Sequence, residues 1–227
     1  MQRYNIFHMV HKGLRALLYD TAMRIQHTDC WDVEAATGLI GRIRQVIALF
    51  DQHAHCEENF VFTAIKKYEP SVADLFEQEH VKDHELGEQL AQVLAAYEDA
   101  PVLSGKVAIA PQIGQAFTRF LAFNVEHMAK EEDVLNKILW RYYSDEELAG
   151  ITNDIIADIP PAILEQMNRW MLRGLNIPEI TGWLRHVELK APDFIYQALL
   201  NTAEEVLPQH RFRQVVAGLS EAVSAGS

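Results

Sequence analysis

The sequence predicts an all-α protein, with four long helices followed by a region of shorter ones. Along most of the 227 residues the apolar side chains recur at intervals of three and four, and a period of two never persists. The 11 glycines and 8 prolines mostly lie where one such pattern ends and the next begins. Because 49% of the residues are hydrophobic, the chain can bury a substantial core and is globular rather than disordered.

Each of the first two predicted helices carries ionisable residues within its apolar stripe. The first helix covers about residues 5–26, and His11 falls inside its stripe. The second helix begins after Asp32, which is a suitable N-cap, and ends near residue 68, shortly before Pro70. Polar side chains occupy core positions in its stripe, which reads Leu39, Ile43, Val46, Phe50, His53, Glu57, Phe60 and Ala64.

The third and fourth predicted helices repeat this interruption of the core. The third covers about residues 71–98 and the fourth about residues 106–143. In each, two ionisable residues stand four positions apart in a stripe that is otherwise mostly apolar. The pairs are His80 and His84 in the third helix, and His127 and Glu131 in the fourth.

A domain boundary is expected near residue 144, which separates a bundle of long helices (1–143) from a C-terminal helical extension of unknown role (144–227). The segment from Ser144 to Glu147 has the form of a capping box, which begins a new helix. Prolines then punctuate a series of short helical segments. They are Pro160, Pro161, Pro178, Pro192 and Pro208.

Charge and cysteine content exclude several classes of function. The formal net charge is -12 and the lysines and arginines are scattered, so neither nucleic acid nor an anionic membrane is expected as a partner. No apolar signal region opens the sequence and no run of about 18 apolar residues occurs, which predicts a cytoplasmic location. Cys30 and Cys56 are too few for a disulfide framework and wrongly spaced for a cysteine zinc site, so both are expected to be reduced.

The ionisable residues on the four inner stripes indicate a dinuclear metal site. A lone histidine on an apolar face is usually structural, but here five histidines and two glutamates would be buried, at a cost of roughly several kcal/mol for each group without a partner. On a helix, a step of four residues rotates by about 40°, so His53 and Glu57 leave one face, as do His127 and Glu131. Four-helix bundles hold pairs of metal ions with such residues. Imidazole and carboxylate without thiolate favour iron, with zinc or manganese as alternatives.

The order of these residues resembles the hemerythrin-like (HHE cation-binding) domain. The shared order is His, then His-x-x-x-Glu, then His-x-x-x-His, then His with an acidic residue four or five positions later, and it spans about residues 4–143. The resemblance implies an antiparallel up-down four-helix bundle that holds an oxo- or hydroxo-bridged di-iron centre. It implies Glu57 and Glu131 as bridging ligands. The terminal ligands that it implies are His11, His53, His80, His84 and His127.

Two features of the chain depart from the oxygen-carrying hemerythrins. There the last acid is an aspartate five residues after its histidine, whereas here Glu131 stands at four and Glu132 at five; Glu131 is preferred because it repeats the spacing of the earlier motif. His8, three residues before His11, is a further candidate ligand. Five histidines, two bridging carboxylates and a bridging oxygen leave one position of two octahedral ions open, which His8 would close.

Several nearby residues are expected to support the centre rather than to bind metal. Glu58 and Glu132 are expected beside the centre or facing solvent, with ligation as the alternative for each. Asn124 and Tyr97 are candidates for hydrogen bonds to ligand imidazoles or to a bound gas. No residue outside this group suggests a catalytic acid or base.

The leading hypothesis is a non-haem di-iron protein that binds or senses a small molecule such as O2 or NO, or responds to iron or redox state. The alternative is a di-iron redox enzyme, for peroxide or NO reduction or for repair of iron-sulfur clusters. A second alternative makes the metal structural and the C-terminal helices an interaction module, which docks a protein partner or forms a homodimer.

Overall fold

The structure is a computed structural model that describes residues 3–224, and within them it is helical with no β-strand. Side chains are described for residues 3–220. The all-α prediction is therefore confirmed. The helices are α1 (His8–His27), α2 (Val33–Cys56), a π-helical segment (Glu57–Phe62), α3 (Thr63–Lys66), α4 (Pro70–Asp99), α5 (Leu103–Tyr142), α6 (Asp145–Asp158), α7 (Pro161–Gly174), α8 (Ile177–Lys190), α9 (Asp193–Val206) and α10 (Gln209–Ser224).

The capping residues predicted from the sequence cap the starts of their helices in the structure. The Asp32 side chain caps α2, because its Oδ1 accepts from the backbone N–H groups of Glu34 at 3.0 Å and Ala35 at 3.1 Å. Ser144 and Glu147 form a reciprocal capping box at the start of α6. The four long helices consequently lie within a few residues of their predicted bounds.

A π-helical segment, Glu57–Phe62, interrupts the second long helix between α2 and α3. A π turn holds more residues than an α turn, so it changes which side chains point inward after it. Val61 and Phe62 are buried, whereas Phe60, which the α-helical period places in the core, is only half-buried. The prediction for Phe60 was wrong because the period was assumed to be constant along the helix.

The chain divides into two compact units, of which the first contains the residues up to His8 and Leu17–Pro160. One end of its core joins α3, α4, α5 and α6, and Leu148 of α6 is fully buried there. The first unit therefore ends one helix later than the boundary expected near residue 144, because the apolar face of α6 packs on the bundle. The buried residues of this cluster are Phe7, Val61, Phe62, Ala64, Ile65, Ala73, Phe76, Leu135, Ile138, Leu139 and Leu148.

The second unit contains Met9–Ala16, which is part of α1, together with the residues from Pro161 onward. Within it, α1 and α7 approach backbone to backbone: a Cβ on Gly13 would lie 2.8 Å from the Met171 nitrogen, and one on Gly174 would collide with the Lys12 carbonyl. Lys12 Nζ also pairs with Glu179 Oε2 at 2.6 Å. The eight residues of α1 are thus an integral part of this unit.

The core of the second unit is built from all four C-terminal helices and the loops between them. A proline stands within one residue of the start of each of these helices, where a missing N–H costs no helical hydrogen bond. None of the helices in residues 3–224 is long and apolar enough to cross a membrane. The buried apolar residues of the second unit are Leu172, Leu175, Ile180, Leu184, Leu199, Ala203, Leu207 and Val215.

Candidate metal centre

Two groups of buried side chains in residues 3–220 offer donor atoms that could hold a metal ion. In each group the donor atoms all lie within 4.8 Å of one another. The groups share both glutamates, Glu57 and Glu131. The first group is His11, His53, Glu57 and Glu131, and the second is Glu57, His80, His127 and Glu131.

Two helical turns supply the shared carboxylates together with one imidazole each. At the end of α2, His53 Nε2 lies 3.2 Å from Glu57 Oε1. In α5, His127 Nε2 lies 3.1 Å from Glu131 Oε1. Both pairs follow from the four-residue spacing, which stacks the two side chains on one helix face. Glu57 is 3% exposed and Glu131 is fully buried, so neither carboxylate is solvated.

The third helix of the site, α4, brings His80 between these two motifs. His80 Nε2 lies 3.4 Å from Glu57 Oε2 and 3.8 Å from Glu131 Oε1. The His80 and His127 rings are 5.0 Å apart and nearly perpendicular. Imidazole nitrogens from two helices therefore converge on the same pair of carboxylates.

Carboxylates behind two of the imidazoles fix which nitrogen faces the centre. His127 Nδ1 lies 2.8 Å from Glu79 Oε2, and Lys130 Nζ donates to Glu79 Oε1 at 3.1 Å. His80 Nδ1 lies 3.0 Å from Glu58 Oε1. A carboxylate can only accept, so each Nδ1 carries the proton and each Nε2 is left as the metal donor.

The charges of the site hold protons on the histidines. Burial lowers the pKa of His80, but hydrogen bonds to Glu131 and Glu57 outweigh it and raise the pKa to about 11. The pKa of His127 is also raised, because Glu131 and Glu79 outweigh its burial. Cations bound by these groups would take the place of the protons, so metal binding releases them.

The donor set fits a metal ion better than a network of hydrogen bonds. Two buried carboxylates and four imidazoles converge within a few ångströms, and carboxylate and imidazole are the donors that iron, manganese and zinc accept. Cys56, which precedes Glu57 in the sequence, is buried but belongs to neither group. The site is therefore a nitrogen and oxygen site without thiolate.

His84, expected as a fifth terminal histidine, lies outside this cluster. Its side chain is 68% exposed, with Nε2 3.3 Å from Glu88 Oε1. The inner face of α4 advances from His80 by three residues to Asp83 and then by four to Gly87, both buried. A further step of four from His80 therefore turns residue 84 toward solvent, and the expectation for His84 is corrected.

The less certain candidates lie around the centre. His8 is the first residue of α1 and is half-buried, and it belongs to neither donor group. Glu132 is half-buried, in contrast to the fully buried Glu131. Glu58 is 48% exposed and contacts the centre through its hydrogen bond to His80.

Sequence reasoning missed two residues that the structure places next to the candidate ligands. Glu79, behind His127, precedes His80 and reads as an ordinary surface acid. Asp83 is buried and accepts a hydrogen bond from Asn124 Nδ2 at 2.6 Å. A strict alternation of three- and four-residue steps along α4 would have found Asp83. Tyr97, a candidate for hydrogen bonding at the site, instead lies near the end of α4, with Lys106 Nζ 5.4 Å from its ring centroid.

The fold and the site together define a helical-bundle protein with a buried histidine and carboxylate metal site. The model of the hemerythrin HHE cation binding domain matches residues 2–139, more than half of the chain. The chain therefore belongs to the hemerythrin HHE family, and the resemblance inferred from the order of the histidines is confirmed. Neither the curated proteins nor the solved structures contain a match to it.

Proposed function

We propose that this protein is a cytoplasmic, non-haem di-iron protein that binds or senses a small molecule such as O2 or NO. The observation that carries the proposal is the overlap of the two donor groups. Because Glu57 and Glu131 belong to both groups, each carboxylate can bridge two ions, with one oxygen for each. His11 and His53 would complete the coordination of one ion, and His80 and His127 that of the other.

Iron is the metal that this donor set and the family favour. The site offers imidazole and carboxylate without thiolate, and structural zinc is usually satisfied by four ligands, often cysteines. A pair of iron ions held by these residues would supply redox chemistry and open positions for small ligands.

The number of open positions supports binding of a small molecule. With His84 on the surface, each ion would be held by two imidazoles and by one oxygen from each shared carboxylate. A bridging oxo or hydroxo group would be the fifth donor of each ion, which leaves one position of an octahedral ion open on both. The donor set thus offers one more open position than five histidines would allow.

Anaerobic reconstitution of the full chain with Fe(II) tests the proposal. Metal analysis should give about two irons per chain, as expected for a bundle with a dinuclear site. Titration with O2 or NO, followed by optical absorption, should then give a reversible charge-transfer band. Repeated turnover of peroxide or NO would instead support the redox enzyme, and an absent spectral response would support a structural metal. A metal content well below two ions per chain would contradict the dinuclear site itself.

A further inference from the structure

A cavity of about 230 Å³ lies where the first half of α2, the end of α4 and the start of α5 meet. None of its lining residues belongs to the donor groups of the candidate metal centre. Along α2 the cavity ends nine residues before His53, which is roughly 13 Å of helix. The residues that line it include Ile40, Gly41, Arg44, Tyr97, Glu98 and Lys106.

Gly41 keeps the α2 wall of this cavity open. Glycine in the interior of a helix is less favourable than alanine, because it loses more backbone freedom when the helix forms. A Cβ on Gly41 would nevertheless meet no described atom from another part of the chain within 4 Å. Packing within the described residues therefore does not require a glycine at this position, whereas a larger side chain would fill space in the cavity.

Two cationic side chains are held at the cavity by a single residue, Glu98. Arg44 donates to the Glu98 carboxylate through Nε, at 3.4 Å from Oε1, and through Nη2 to Oε2. Lys106 Nζ donates to the Glu98 backbone carbonyl at 3.2 Å. Two cations and one carboxylate give the lining a net positive charge, whereas the whole chain carries a formal net charge of -12.

Both cations keep hydrogen-bond donors that Glu98 does not use. Glu98 accepts from Nε and Nη2 of Arg44, which leaves the two N–H groups of Nη1 for another acceptor. The Lys106 ammonium has three N–H groups, and the Glu98 carbonyl takes one of them. A second carboxylate, brought by a ligand, could therefore accept from both side chains at once.

The rest of the lining is apolar and limits the size of a ligand. Ile40 and the Tyr97 ring provide this surface, and Lys106 Nζ lies 5.4 Å from the centroid of that ring. A cavity of about 150 Å³ is large enough to bind benzene. The volume of about 230 Å³ therefore has room for one small ring or branched chain and a carboxylate.

We propose that this cavity binds a small monocarboxylate with an apolar body. The carboxylate accepts hydrogen bonds from Arg44 and Lys106, and the apolar body contacts Ile40 and Tyr97. One negative charge on the ligand balances the net positive charge of the lining. This site is separate from the candidate metal centre and does not depend on the proposed di-iron function.

Calorimetric titration of the full chain with benzoate tests the charge that the cavity selects. Benzoate should bind with a dissociation constant on the order of 1 mM or below, as expected for so small a ligand. Benzamide has the same ring without the charge, so it should bind at least about tenfold more weakly. Equal affinity for the two probes, or no saturable binding of benzoate, would overturn the proposal.

Gly41→Leu tests whether the probe occupies this cavity. The variant should weaken benzoate binding by at least about tenfold because the leucine fills the cavity, and it should melt no lower than the unchanged protein because leucine favours helix. Gly38→Leu is the matched control: its Cβ also meets no described atom within 4 Å, but Gly38 does not line this cavity. It should keep the affinity within about twofold. Affinity retained in Gly41→Leu would overturn the assignment.

Lys106→Met tests the role of the ammonium group, since methionine keeps an unbranched apolar side chain. Benzoate should bind about tenfold more weakly to this variant, and benzamide about equally, because only the charged probe loses a charge-assisted hydrogen bond. Lys82→Met is the control, because Lys82 pairs with Glu85 at 2.9 Å outside the cavity, and it should not change the affinity. Unchanged benzoate binding in Lys106→Met would overturn the proposal. The iron content enters none of these results, so they are independent of the di-iron function.

Discussion

The two His-x-x-x-Glu motifs place their side chains alike on backbones that differ. His127 and Glu131 lie within the uninterrupted helix α5, whereas His53 lies in the last turn of α2 and Glu57 begins a π-helical segment. The distances from Nε2 to Oε1 are nevertheless 3.1 Å and 3.2 Å. The ligand pair is therefore set by the α turn before each glutamate, and the π turn affects only the residues after Glu57.

The residues after Glu57 make an aromatic contact with His80, a candidate ligand from another helix. The π segment turns Phe62 inward, where its ring lies 4.8 Å from the His80 ring and 6.3 Å from the Phe76 ring. After Glu131, α5 continues into Leu135, which is a buried aliphatic residue of the same cluster. Thus the second motif contributes candidate ligands alone, whereas the first is followed by a ring that packs on the candidate ligand His80.

The largest effect on metal content is expected when the shared carboxylate of either motif is removed. Glu57→Ala removes a donor from both groups, so we expect well under half of the normal metal content after reconstitution. His127→Ala removes a donor from one group and should lose mainly one ion. Glu132→Ala, next to a shared carboxylate but outside the groups, is the control and should keep nearly all of the metal. Full metal content in Glu57→Ala would show that the two motifs do not share ions.

A matched pair of histidine variants tests which histidine of α4 contributes to the metal site with the two His-x-x-x-Glu motifs. His80→Ala should lower metal affinity by at least about tenfold, because His80 contacts both shared carboxylates. His84→Ala should leave affinity and stoichiometry unchanged, since its side chain is 68% exposed. Metal titration monitored by absorption measures both. A comparable loss in the two variants would place His84 in the centre after all.

Deletion of Asn59, an exposed residue, tests the role of the π segment. Without one residue the turn can close as an α-helix, and Phe62 then stands four positions after Glu57 and stays inward. Because the buried contacts of Phe62 are kept, the melting temperature should change by less than about 3 °C. Asn59→Ala keeps the chain length and should melt within about 2 °C of the unchanged protein. A fall of roughly 10 °C in the deletion, which is the loss of a buried aromatic contact at about 3–5 kcal/mol, would show that the π turn itself holds Phe62 in the core.

The smallest loss of metal affinity is expected from changes to the carboxylates behind the imidazoles. Glu79→Gln weakens the hydrogen bond that orients His127 and should reduce metal affinity by about tenfold. Glu58→Gln does the same for His80 but from a more exposed position, 48% against 30%, so a smaller loss is expected. Competition with a chelator gives both affinities. A larger loss in Glu58→Gln than in Glu79→Gln would indicate that solvent exposure does not weaken the hydrogen bond between Glu58 and His80.

Much of the fold follows from local chemistry, and for that reason it could be predicted. The three- and four-residue steps indicated the long helices, and capping groups such as Asp32 and Ser144 marked several of their ends. The structure also brings together six of the seven expected donors, because each interrupts an apolar stripe. Glu131 was preferred to Glu132 because it repeats the four-residue spacing of His53 and Glu57.

The remaining features depend on differences that a single stripe does not reveal. Asp83 and His84 are both polar, and only a strict alternation of three- and four-residue steps along α4 separates them. The π turn at Glu57 leaves no compositional signal, so the displacement of Phe60 could not be foreseen. The extent of the first unit was missed for a different reason: Leu148 shows that α6 is amphipathic, but not which surface its apolar face covers.

The second unit also has a consequence for how the protein is made. It combines Met9–Ala16 with helices that begin at Pro161, so partners in one core are separated by most of the chain. At the usual rate of synthesis of about 5–20 residues per second, roughly 7–30 s pass between the two. The segment around His11 is therefore translated early, yet its packing within this unit can be completed only after α7 to α10 have left the ribosome.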